Sequence, residues 1–140
     1  MLSPKTTKIS FAQDKYDFIV VWGLVFGAKK QRMVKFVVDT GASTTMIDPA
    51  IMESVGYGPQ GTEYMSSASV SGPAGKQFGY KVKIHQLLIH SAQCVLPNVD
   101  VVCIRPERNV EALLGLNFLK HFRYCVDHKK QLLTLETNFS

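Results

Sequence analysis

Asp39 is the residue in this chain whose type and setting best suit chemistry. It ends the apolar run Phe36-Val37-Val38 and precedes the small residues Thr40-Gly41-Ala42-Ser43-Thr44. An apolar β-branched run predicts a buried strand, so the carboxylate is delivered at a strand end. In such a place, desolvation and close neighbours decide when a carboxyl ionises. Gly41 lets a second backbone, or a substrate, come near. The Thr40 hydroxyl can fix the turn. A carboxyl held this way suits general acid–base work, above all when a second one stands beside it. Taken alone, an Asp here also has a plainer role, capping the following turn through its own side chain.

A second stretch follows about seventy residues later. Ala112-Leu113-Leu114-Gly115 reads as an apolar strand ending in Gly, and Asn117 to Phe122 as one or two turns of helix. The order of the two stretches, Asp-Thr-Gly-Ala and then Leu-Leu-Gly, resembles the retropepsin-like aspartic proteases of single-domain cellular or bacterial type. The resemblance runs from about Asp17 to Leu135.

That resemblance implies an all-β acid-protease barrel with short helices, assembled as a homodimer. It implies Asp39 as the catalytic residue, Thr40, Gly41 and Ala42 as the active-site loop, and Leu113, Leu114 and Gly115 as the strand supporting it. It places a substrate-covering flap at Ser71-Gly72-Pro73-Ala74-Gly75, with no metal and no cofactor. Residues 16–136 form the domain, 1–15 an N-terminal extension or interface segment, and 137–140 a C-terminal tail. Two departures from relatives stand out. Ala42 replaces the hydroxyl residue of pepsin-like chains, which implies activity at milder acidity. Ser43 and Thr44 stand where viral enzymes place an Asp, and Asn117 and Lys120 stand near the Arg that pairs with it. Hydroxyl contacts are therefore expected in place of that buried ion pair.

The motif occurs once, and this decides the expected assembly. Peptide hydrolysis by carboxyls needs two of them around one water, sharing a proton because like charges a few ångströms apart cannot both ionise. A stretch of 140 residues is expected to be one domain by size and is too short for a second lobe. A two-fold dimer supplies the second Asp39 by symmetry.

The elements that must position these residues read mostly as strands. Tyr16 to Phe26 and Arg32 to Val38 flank the turn Gly27-Ala28-Lys29-Lys30. Asp48 to Gly56 reads as a short helix, with Asp48 as cap, Pro49 at the first position and Gly56 as the stop. Thr62 to Val70 and Lys76 to Val82 frame the Gly-rich hairpin tip. Val82 to Ile89 and Cys94 to Ile104 follow, the latter expected to break at Pro97-Asn98, and a final strand pair ends the chain. Val38, Met46, Val70 and Leu113 are candidate pocket residues, suggesting apolar side chains around the scissile bond.

Bulk properties agree with a globular chain: 46% hydrophobic and 19% charged residues exclude a disordered composition. No run approaches the roughly 18 apolar residues of a membrane-spanning helix. Met1 to Ser10 contain Lys5 and Lys8 and no apolar stretch, so no signal peptide is expected. Cys94, Cys103 and Cys125 lack paired spacing, which points to a reducing, cytoplasmic setting and away from zinc. The chain is expected to be cytoplasmic, alone or as a domain of a longer protein. The net charge of +5 is spread over turns and strand faces, so neither nucleic acid nor a membrane is an expected partner. The expected partners are a second copy of the chain and an extended peptide. The leading expectation is thus an aspartic endopeptidase that activates water between two Asp39 carboxyls of a symmetric homodimer. The alternative is a weak or inactive module of the same fold that binds peptides or dimerises.

Overall fold

The computed structural model describes residues 5–73, 75–107 and 109–137. In chain order the strands and helices are β1 (Thr6–Ser10), β2 (Ala12–Gln13), β3 (Ile19–Phe26), β4 (Gln31–Val38), β5 (Thr45–Ile47), α1 (Pro49–Ser54) and β6 (Tyr64–Gly72). They continue with β7 (Gly75–Ile89), β8 (Val95–Cys103), β9 (Ala112–Leu114), α2 (Leu116–Leu119), β10 (Phe122–Asp127) and β11 (Leu132–Thr137). Among the described residues strand makes up 56% and helix 8%, so the fold is all-β.

Six strands close a barrel in the order β3-β4-β9-β5-β8-β7, sealed where β7 pairs back onto β3. Alternation builds its interior. Val21 and Val25 of β3, Val34 and Phe36 of β4, and Val82, Ile84, Leu87 and Ile89 of β7 are all buried. The helix α1 starts as its sequence dictates. Asp48 caps it, its carboxylate accepting from the Ala50 N–H at 2.9 Å, and Gly56 follows the last turn at φ +106°.

The single 15-residue strand β7 stands where two strands were expected. Its first half pairs with β6 to form the hairpin, its second half with β8 and then β3. The hairpin is therefore a direct extension of a barrel wall. The expected break at Pro97-Asn98 is also absent as a break. Asn98 takes a left-handed φ of 54° and drops out of the pairing with β7, and β8 continues on both sides. Pro97 is tolerated because β5 reaches only Val101 to Cys103 on the other edge of β8.

A second sheet, β1-β11-β10, joins the two ends of the chain. Thr7 pairs with Leu135 and Ile9 with Leu133, and Ile9, Phe11, Leu133 and Leu135 enter the main core. The described part of segment 1–15 thus packs into the same body, because its alternating residues bury one face. Residues 1–4 of that segment, 138–140 of the tail and Ala74 of the flap lie outside the described residues. No helix among the described residues is long and apolar enough to cross a membrane.

Candidate active site

The two sequence stretches meet side by side. β4 and β9 run parallel, with Val37 opposite Leu113 and Val38 opposite Leu114. The Asp39 N–H extends this ladder by donating to the Leu114 carbonyl at 3.0 Å. The chain then turns sharply. The Gly41 N–H donates to Asp39 Oδ1 at 2.9 Å, and the Ala42 N–H to the Asp39 carbonyl at 3.2 Å. One carboxylate oxygen is thereby fixed by the loop's own backbone, the turn-capping bond that the sequence allows. Asp39 is half-buried, and Thr40 and Gly41 are exposed.

The loop is held from behind by α2. The first amides of a helix have no partner within it. Here the Leu116 N–H donates to the Ala42 carbonyl at 2.8 Å and the Asn117 N–H to the Ser43 carbonyl at 3.1 Å. A buried polar cluster completes the brace. The Thr45 hydroxyl donates to Asn117 Oδ1 at 2.8 Å and accepts from the Gly115 N–H at 3.1 Å. The Thr45 N–H also donates to Asn117 Oδ1, and Asn117 Nδ2 donates to the Asp100 carbonyl, both at 2.8 Å. Thr45 is fully buried, and every one of these groups is paired.

This arrangement revises the expectation of hydroxyl contacts from Ser43 and Thr44. The hydroxyl that braces the loop belongs to Thr45, and the amide of Asn117 answers it. Strand alternation is the reason: β5 begins at Thr45 and points that side chain inward. Lys120 is exposed at the end of α2. The roles of Thr45 and Asn117 escaped the sequence reading. Their only signal was a β-branched hydroxyl residue in the stretch after Ala42 and an Asn two residues after Gly115.

Asp39 opens onto a cleft of about 500 Å³. Met46, Val70 and Leu113 line it as expected, and Val38 does not. Leu113 faces the cleft while Ala112 and Leu114 point into the core, the two-residue period of a strand. Ser71, Gly72, Pro73 and Gly75 of the β6–β7 hairpin line the cleft too, and Gly72 pairs with Gly75 across its tip. Phe18, Gln77, Arg105, Pro106, Glu107 and Val110 are the other described residues that line it. These were not singled out, because the loop Arg105 to Asn109 shows no periodicity to say which side chains turn inward. Arg105 lies 3.8 Å from Asp48, and Glu107 Oε1 lies 3.2 Å from where a Cβ on Gly72 would stand. Among the described residues no group of three or more His, Cys, Asp or Glu side chains is placed to hold a metal ion.

The geometry therefore offers one oriented carboxylate at the foot of an apolar cleft, flanked by a hairpin whose two strands pair with each other up to the tip and, among the described residues, with no further strand there. Similar architecture exists in known proteins. Residues 27–121, more than half the chain, match the family described as "gag-polyprotein putative aspartyl protease". DNA damage-inducible protein 1 of Eremothecium gossypii is 29% identical over 104 residues, covering 73% of this chain. The match spans about a fifth (20%) of that relative's length. A retropepsin-like aspartic protease from Rickettsia conorii has a crystal structure that superimposes with a TM-score of 0.67 at 20% identity, over 96% of this chain and 94% of the other. The retroviral protease-like domain of Ddi1 from Leishmania major gives 0.56 at 22%, over 88% and 94%. The last two show a shared fold, and with the family match across both motif strands the chain belongs to the retropepsin-like aspartyl protease family.

Proposed function

We propose that this chain is an aspartic endopeptidase, active as a symmetric homodimer, that hydrolyses extended peptides with water held between two Asp39 carboxyls. The observation that carries this reading is the placing of Asp39. The Gly41 N–H orients its carboxylate, and the Leu114 carbonyl tethers its backbone at the foot of the cleft. A plain turn cap would serve equally well anywhere on the surface; here it opens onto a substrate-sized groove.

In the dimer the two Asp39 side chains face each other across the axis and share one proton. The ionised carboxyl takes a proton from the water as it attacks the peptide carbonyl. The protonated carboxyl donates to that carbonyl oxygen, giving a diol; the proton taken from the water then passes to the amine as the C–N bond breaks, and a diol hydroxyl returns its proton to the other carboxyl. Thr40, exposed in the single chain, meets its symmetry mate at the axis. The β6–β7 hairpin closes over the bound segment, and Gly41 presents its backbone to it. No metal takes part in this scheme. We place this activity in a reducing compartment, a reading that rests on the odd number and unpaired spacing of Cys94, Cys103 and Cys125 in the sequence.

The test is Asp39→Asn. Peptide hydrolysis should fall by several orders of magnitude, while the circular dichroism spectrum and the dimer mass stay as in the parent. Turnover that survives the substitution, or that a chelator abolishes, rules the mechanism out.

A further inference from the structure

Among the described residues, three charged ones line the cleft: Asp39, Arg105 and Glu107. Two of them are already answered. Asp39 belongs to the shared-proton pair of the proposed dimer, and Arg105 lies 3.8 Å from the Asp48 carboxylate. Glu107 is exposed and forms no ion pair with any described residue. Its Oε1 lies only 3.2 Å from where a side chain on Gly72 would begin. The carboxylate thus stands at the mouth of the cleft, between the loop that carries it and the tip of the hairpin. It can come this close because residue 72 has no side chain.

The surroundings suit one kind of visitor. Val70 and Val110 lie in the same wall and offer apolar surface to a long aliphatic stem. A lysine or arginine side chain lays such a stem along apolar groups and keeps its charged end free. At that end Glu107 supplies an acceptor for charge-assisted hydrogen bonds. The positive net charge of the chain gives no general attraction for cations, so selectivity must come from this local carboxylate.

We propose that Glu107 reads a basic side chain on the substrate, so that the cleft selects extended segments carrying Lys or Arg close to apolar residues at the scissile bond. This rests on the endopeptidase reading for its reaction, and not for its binding. In a symmetric dimer each half of the cleft carries its own Glu107, so a basic residue is accepted on either side of the bond.

The experiment uses a peptide set with one apolar core and Lys, Gln or Glu scanned through the flanking positions. Affinity is measured by fluorescence anisotropy on the Asp39→Asn dimer, and kcat/KM on the parent protein. At one or more flanking positions, Lys should exceed Glu by about five- to tenfold in affinity. The ratio should shrink as salt is raised from 50 to about 500 mM, as screening requires. Glu107→Gln should bring the ratio near one, and Glu107→Lys should invert it. Glu107 is a surface loop residue, and melting curves check that the variants fold. Charge-selective binding without cleavage overturns the endopeptidase reading and keeps this one. Cleavage with no charge preference, or a preference that both Glu107 variants retain, overturns this one and keeps the other. Failure to bind any peptide overturns it as well.

Discussion

At the scale of single residues, Gly115 sets how closely the two motif strands approach. A Cβ there would lie 2.7 Å from the Thr44 carbonyl carbon, 2.8 Å from the Thr45 N and 2.9 Å from the Ala42 O. All three are backbone atoms of the loop carrying Asp39, so none can swing aside. Gly115→Ala should cost about 1–3 kcal/mol through overpacking. Turnover should fall further than the lost stability accounts for, because the displaced part is the loop itself; urea midpoints compared with kcat separate the two. Thr45→Val keeps the shape and removes the hydroxyl, leaving the buried Gly115 N–H without its acceptor. That should cost about 1–3 kcal/mol, read from the same denaturation curves. Burial also acts on the thiols, pushing Cys103 up to about 12 from 9.0. A thiol held neutral in the fold adds stability below pH 9, which is lost as pH rises toward 12. The urea midpoint should therefore decline above pH 9, less so in Cys103→Ala, and at neutral pH a thiol reagent should modify Cys125 ahead of Cys94 and Cys103. The position of Asp39 at a strand end, and of Gly115 just after the strand beside it, was legible because motif and residue type coincide. The role of Thr45 and Asn117 was not, since a buried hydroxyl and amide acquire meaning only once folding brings positions 72 residues apart into contact.

Among the elements, local chemistry explains what could be read directly. Asp48, Pro49 and Gly56 carry a complete set of start and stop signals, and α1 fills the span between them. The hairpin was legible for the same reason, through glycines either side of Pro73-Ala74. β7 was not, since its second half has its partners on β8 and β3, far away in sequence, and only these reveal that the strand never ends at Val82. This continuity bears on how the flap works. A hairpin rooted in a barrel wall moves by bending along its length, with the tip travelling furthest. Gly75 supplies the tip geometry at φ +106°, a conformation that side-chain-bearing residues rarely adopt. Gly75→Val should strain the tip by about 1–3 kcal/mol. Because the tip is peripheral to the core, local opening can relieve that strain without global unfolding, so the melting temperature should shift little while KM rises several-fold. An unchanged KM in a folded variant removes the hairpin from substrate binding.

For the whole molecule, a barrel of this size provides one Asp39 per chain, and the proposed chemistry needs two. The structure of one chain leaves the loop tip, Thr40 and Gly41, exposed beside the half-buried carboxylate. The sheet formed by the chain ends pairs β1 with β11 internally, so what it offers a second copy is an outer edge. If two chains build one site, the site is lost when either lacks its carboxyl. Parent protein and Asp39→Asn, unfolded together and refolded as a mixture, should pair at random, since the substitution is small and isosteric. Replacing half of the chains should then leave about a quarter of the activity, the chance that both members of a two-fold pair are intact. Independent sites would leave half. Dilution gives a second reading of the same requirement, since activity per chain should fall as dimers separate. Mass photometry on the diluted samples links the two losses. Activity proportional to the parent fraction across the whole mixing series, with exchange verified by differently tagged chains, would mean that each chain carries a complete site and that the single motif had been misread.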